Sequence, residues 1–263
     1  MLRRSHYSTA LAQAQGIVGY CQTLFELWQE GVSTSAFFEQ VRQANLLNTD
    51  SERRLQNIVV EGFASRFLRE PFLAAAPTLK LLLTQSTNSA LKTQLILLYA
   101  LRQHGIFFDF LVEEYWPGVR AGARSFRSTD LARLIDRGLV TGKLTVNWSD
   151  SVRKRVSSYV LGIASDFGLL GNKPAGNRPV LHWSLDEGLA LYLAYDLHFL
   201  GLSDDEVARS DEWSALGLRR EDVTLFLHRL QNRGHLIVQD TGALCRIEWK
   251  YPTRQQLAHV LLS

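Results

Sequence analysis

The apolar residues of this chain recur every three or four positions along most of its length, which is the helical period, and they alternate in only a few short places. Over residues 8–28 they fall at Leu11, Ala14, Val18, Cys21, Phe25 and Trp28, predicting one amphipathic helix. Ser33 is placed to cap a second helix through Ala44. Asp50 or Ser51 caps a third, with Leu55, Ile58, Val59, Gly62, Phe63 and Phe67 on one side. That third helix has to stop before Pro71, which cannot simply continue it. Residues 78–83, 89–103 and 107–116 are apolar round much of their circumference and are expected to form a central packing layer, and Pro117-Gly118 to close the amino-terminal half.

The second half follows a different order. Ser128 or Thr129 caps a helix through Arg137, Gly138 supplies a left-handed stop, and residues 144–147 read as a short strand. Over residues 150–167, Val152, Val156, Tyr159, Val160, Ile163, Ala164 and Phe167 make a complete apolar helix face. A loop follows over 168–179. Residues 180–183 are then expected to pair with 144–147 as a small wing, giving the order of a winged helix-turn-helix. A further apolar helix runs over 184–200, and Ser203 with Glu206 forms a capping box. A helix over 219–233 and two strands around Asp240-Thr241-Gly242 repeat the winged-helix order. The fold class expected is mainly α with short β-hairpins. Its stretches are a helical unit at 1–70, central apolar helices at 71–119, a basic winged-helix-like unit at 120–183, and carboxy-terminal helices with a second such unit at 184–263.

Charge adds a second layer, because the net +3 of the 263 residues conceals opposed blocks. Residues 120–178 carry eleven Lys or Arg against four Asp, while 179–216 carry one Arg against eight acids. One face is therefore expected to attract polyanions and another to repel them. The candidate DNA-binding residues are Arg153, Lys154 and Arg155 at a helix start, with Lys173 and Arg178 after them and Arg120, Arg124 and Arg127 before them. A helix start also contributes partial positive charge toward phosphate. The bland alternatives are a solvated helix face, or pairing of these cations with the acidic block.

Other chemistry finds no support in the pattern. The seven histidines include no HExxH, and the loop around Lys173 lacks the GxxxxGK[ST] order. No GxSxG is present, and Asp204, Asp205 and Glu206 are explained by a helix start. No catalytic residue, metal site or cofactor is expected, and Trp183, Trp213 and Trp249 are read as core. Cys21 and Cys245 stand far apart in apolar sequence, which fits a reduced, cytoplasmic setting. The most apolar stretch, 95–112, contains Arg102, Gln103, His104 and Asp109 and is shorter than the roughly 20 residues a span needs, so no membrane insertion is expected.

The ordered features resemble the BrxA family, accessory proteins of bacterial BREX phage-defence systems. They start at Tyr7-Ser8-Thr9 and pass through Asn45-Leu46-Leu47, Arg53-Arg54, Phe63 and Arg66. The match is sharpest over 148–170, where Arg153-Lys154-Arg155 leads to Asp166-Phe167-Gly168-Leu169-Leu170. It resumes at Trp213, at 216–223, and at Gly242, Glu248-Trp249 and Tyr251. The resemblance implies a mostly helical protein with an amino-terminal part similar to the NusB antitermination fold and winged-helix-like elements, acting beside other BREX components. It also implies double-stranded DNA as a partner and supplies no catalytic signature. The function expected is that of a non-enzymatic DNA-binding accessory component. A protein scaffold within the defence complex and RNA binding through the NusB-like part are the alternatives.

Overall fold

The computed structural model describes residues 6–13, 17–172, 176–241 and 244–263. Its first segment is more broken than the periodicity suggests. Thr9–Gln13 is a 3-10 turn and α1 spans only Val18–Leu27. The two pieces share the segment Asn57–Ala64 as a neighbour but differ in their main one: the turn packs on the helix that begins at Asp150, whereas α1 packs on the helix over Ala76–Gln85. The Tyr7 N–H, donated to Lys143 O at 2.8 Å, ties residue 7 to the segment that precedes the first of these helices.

Local capping chemistry sets the next elements. Ser33 accepts the Ala36 N–H to open α2 (Thr34–Ala44), and Asn45 closes it at φ 48°. Ser51 accepts from Arg54 N to open α3 (Glu52–Gln56), which passes through a π-helical segment, Asn57–Ala64, into α4 (Ser65–Phe67). A short 3-10 turn, Leu73–Ala75, then feeds α5 (Ala76–Gln85).

The central layer forms as expected. In α6 (Ser89–Gln103), started by the Asn88 side chain, every residue from Gln94 to Gln103 is buried. It is followed by α7 (Gly105–Asp109), a π-helical Phe110–Tyr115 and α8 (Trp116–Arg120). The helix thus runs through Pro117-Gly118 and ends at Arg120. The π turn resets the hydrogen-bond register, and Pro117 falls in the first turn after it, where a missing N–H is tolerated. Among the described residues no single helix is long and apolar enough to cross a membrane; Ser89–Gln103 and Gly105–Arg120 pass that test only together, as a pair bent by 112°.

Next come β1 (Ser125–Phe126), a 3-10 turn at Ser128–Leu131, α9 (Ala132–Val140), α10 (Asp150–Asp166) and β2 (Arg178–Pro179). Three expectations are corrected here. Gly138 does not stop α9, which runs two residues beyond it; a Cβ there would lie 2.5 Å from the Tyr7 ring, so close packing is what Gly138 serves. Residues 144–147 form no strand, because Lys143 O is taken by Tyr7 and the Leu144 N–H by Gly138 O. The small sheet instead pairs β1 with β2, and Leu170 bridges Val180.

The carboxy-terminal part comprises α11 (Glu187–Phe199), α12 (Asp204–Ala208), α13 (Asp211–Ala215), α14 (Arg220–Asn232), β3 (Leu236–Asp240), β4 (Cys245–Trp249) and α15 (Arg254–Leu262). The Ser203/Glu206 capping box is present, and β3 pairs antiparallel with β4, with Ile237 opposite Glu248. One apolar cluster runs from Tyr7 to Ala258. Within it Arg102 bonds Asp196 at 2.7 Å and Glu212 at 2.8 Å, and Arg254 also pairs with Asp196, joining α6, α11, α13 and α15 by charge.

Candidate nucleic-acid interface

The apolar face of α10 buries Val156, Val160, Ile163 and Ala164, which fixes the helix's rotation. Ser151, Lys154, Arg155 and Ser158 are left exposed on the other side. Opposite its first turns lies the start of α9. Ser128, Thr129, Ala132 and Ile135 face Asp150, Arg153, Lys154 and Ser157 across an open groove of about 390 Å³. The groove thus has one acid, Asp150, among its cations and hydroxyls.

The three adjacent cations of α10 have different tasks. Arg153 is turned inward. Its guanidinium donates to Asp136 in α9 at 2.7 Å, to Asn147 at 2.9 Å and to the Trp148 carbonyl at 3.1 Å, clasping the helix start to the turn before it. Lys154 and Arg155 are exposed and have no ion-pair partner among the described residues.

Beside α10, the Val180 N–H is donated to Arg124 O at 2.9 Å, Gly171 N to Pro179 O at 2.7 Å and Leu181 N to Leu169 O at 3.1 Å. Segments 169–171 and 178–181 are therefore paired, with 124–126 on the edge. Lys173 lies outside the described residues. Arg178 bonds Ser165 at 2.7 Å and Asn172 at 2.9 Å, so it links residue 172 to α10.

Counting partners separates the two charge blocks. In the basic block, Arg137 pairs with Glu113 and Glu114, Lys143 with Asp109, and Arg153 with Asp136. The bond to Glu114 raises the Arg137 pKa further above its ordinary value. Arg120, Arg124, Arg127, Arg133, Lys154 and Arg155 are exposed and make no ion pair among the described residues. Arg133 escaped the sequence reading; its place one turn after Thr129 on the helix facing α10 is the signal that could have found it.

Most of the acidic block has partners inside the chain. Asp186 caps α11, Glu187 pairs with Arg233, and Asp196 and Glu212 hold Arg102. Asp204 accepts from Ile247 N and Trp249 Nε1, Asp205 pairs with Arg209, and Glu206 bonds Ser203, which lowers its pKa. Only Asp211 of the eight has no side-chain partner among the described residues. The acidic block is thus offset in part: Glu187, Asp196, Asp205 and Glu212 pair with arginines, while Asp186, Asp204 and Glu206 accept hydrogen bonds and keep their charge.

The tryptophans are engaged as well. Trp213 is buried, Trp183 packs on Trp116, and Trp249 stacks on His198 with centroids 4.4 Å apart. Among the described residues no three His, Cys, Asp or Glu side chains gather as a metal site would require.

Fold and surface together define a mainly helical protein with a basic helix pair set against a short antiparallel sheet. Residues 5–195 match the BrxA family model, and the chain belongs to the BrxA family, which implies a component of BREX phage defence. The crystal structure of an uncharacterized protein from Magnetospirillum magneticum is similar in fold. Its TM-score is 0.58 at 13% identity, over 74% of this chain and 95% of that one. A comparison with curated proteins gives no match. Of the residues carrying the family resemblance, Trp213, Leu216, Val223, Glu248, Trp249 and Tyr251 lie beyond the matched segment, and Gly242 is also outside the described residues.

Proposed function

We propose that this chain is a non-enzymatic, double-stranded DNA-binding component of a BREX system, and that residues 120–183 act as a winged helix. The order β1, α9, α10, paired 169–171 and 178–181 supports that reading, with α10 as the helix offered to the duplex. The observation that carries it is the selective availability of charge: six cations between Arg120 and Arg155 are exposed and make no ion pair among the described residues, Lys154 of them lining the groove between α9 and α10, while the neighbouring acids have partners within the chain. Lys154 and Arg155 contact phosphates or base edges, and Arg120, Arg124, Arg127 and Arg133 extend the track along the backbone.

Scaffolding through the acidic block finds less support, since its carboxylates already have partners. RNA binding through the amino-terminal helices has fewer available cations behind it: Arg66 and Arg102 are buried and Arg42 is paired with Glu39, which leaves Arg53 and Arg54 exposed and without an ion pair among the described residues.

The test is binding to a labelled random-sequence duplex across a salt series. About five phosphate contacts give a log-log salt slope of roughly −4 to −5. Lys154→Glu/Arg155→Glu, with circular dichroism unchanged, is expected to abolish most of that binding, and duplex RNA to compete poorly. Absence of wild-type binding at low salt overturns the reading.

A further inference from the structure

The carboxy-terminal unit lies outside the matched residues 5–195, yet its construction parallels that of 120–183. In the first unit two helices precede an antiparallel pair, whose edge N–H at Val180 is covered by Arg124 O. In the second, α13 and α14 precede β3 and β4, and the edge N–H of Ile247 is covered by the Asp204 carboxylate at 3.0 Å. A four-residue turn joins α13 to α14. Gly217 in it has φ 87°, and a Cβ there would sit 3.0 Å from the Trp116 indole, so the tight turn requires glycine.

The second helix of this pair is held rigidly. Gln231 accepts the Val238 N–H at 2.6 Å, and Tyr195 Oη donates to His235 O while accepting from Lys250 N at 2.9 Å. With Val223, Leu227 and Leu230 buried, Glu221, Leu225, Arg229 and Asn232 are presented outward. Arg229 lies over the Phe226 ring at 5.1 Å, and Arg220, Arg229 and Arg246 have no ion-pair partner among the described residues. Residues 217–263 as a whole carry seven Lys or Arg against four acids.

We infer that α14 and the β3–β4 hairpin form a second contact with double-stranded DNA. In it Arg229 and Asn232 face the major groove, and Arg220 and Arg246 face phosphates. Arg and Asn are the side chains with bidentate geometry for guanine and adenine edges. Glu221 and its neighbour Arg219, 3.7 Å apart, make this surface less basic than the first. Its contribution is therefore that of a linked second site, which raises the affinity of the whole chain for a duplex long enough to reach both. This inference rests on DNA binding by the first unit.

The experiment compares wild type, Arg229→Glu/Arg246→Glu and Lys154→Glu/Arg155→Glu on random duplexes of about 12 and about 30 base pairs, since one helical turn of roughly 10 base pairs serves one unit. The milder Arg229→Gln/Arg246→Gln guards against misfolding, with melting curves as control. The carboxy-terminal variants are expected to bind the short duplex as wild type does. On the long duplex they lose about tenfold or more in affinity and about two in the magnitude of the salt slope. If they match wild type on the long duplex while Lys154→Glu/Arg155→Glu fails, the second contact is overturned and the first stands. If wild type binds neither duplex, both fall.

Discussion

Arg153 of α10 donates to Asp136 of α9 at 2.7 Å, so the first of three adjacent cations joins the helices while the next two remain on the surface. A substitution at Arg153 therefore acts on stability before it acts on any ligand. Arg153→Ala removes three hydrogen bonds at a partly exposed site and is expected to cost about 1–2 kcal/mol. Lys154→Ala stays within about 0.5 kcal/mol of wild type. Urea titrations of both variants check this, and equal midpoints for the two would contradict the assignment.

What the sequence made legible was chemistry acting over a few residues. Ser33, Ser51 and the Ser203/Glu206 pair announce helix starts because the capping hydroxyl reaches an N–H only three positions ahead. The π segments at Asn57–Ala64 and Phe110–Tyr115 left no such mark, since a one-residue change in hydrogen-bond register barely alters the spacing of apolar residues such as Ile58, Val59, Gly62 and Phe63. The partner of Val180 stands at Arg124, in a strand of two residues too short to show alternation. In the candidate site the basic triplet was visible but its division of labour was not. That depends on Asp136, 17 residues earlier, and on the side of α10 shared with Ser157, which is 2% exposed and faces α9.

Gly138 offers a prediction on packing. A Cβ at this position would lie 2.5 Å and 2.8 Å from two carbons of the Tyr7 ring. That ring is fixed by the phenol's bond to Asp109 at 2.8 Å, and burial raises the Tyr7 pKa, so it cannot ionise to leave. Gly138→Ala is expected to destabilise by about 1–3 kcal/mol through overpacking, despite alanine's better helix propensity. Adding Tyr7→Ala should recover part of that loss relative to Tyr7→Ala alone, a coupling that a double-mutant cycle in urea measures. Strict additivity would place the cost elsewhere.

Acid lability follows from the stacked His198–Trp249 pair. Burial lowers the His198 pKa below its ordinary 6.5, with Asp204 opposing, and His235 is lowered in the same way. A histidine whose folded pKa is depressed binds its proton more readily in the unfolded chain. Its contribution to stability is complete above about pH 6.5 and is lost as pH falls below it. The melting temperature is expected to fall between pH 7.5 and 5.5. His198→Phe, which keeps an aromatic ring against Trp249, should make that fall shallower; an unchanged slope removes His198 from the account.

Two arginines with the same 1% exposure carry opposite predictions. Arg102 meets Asp196 and Glu212, which hold its pKa well above the usual value despite burial. Arg66 bonds only the Gln103 amide, through Nε at 3.0 Å. Its other two nitrogens have no acceptor among the described residues, and burial lowers its pKa to about 10. Arg102→Met strands Glu212 without its cation and leaves Asp196 to Arg254 alone, a loss of about 3–5 kcal/mol. Arg66→Met strands no carboxylate and removes a desolvated charge, so its stability is expected to be within about 1 kcal/mol of wild type or above it. The same side chain is introduced at both sites, which cancels differences in the new residue's own preferences. A large loss at Arg66 would mean that its guanidinium has a stabilising partner other than Gln103, and a small loss at Arg102 would mean that the four-helix ion network contributes little to the fold.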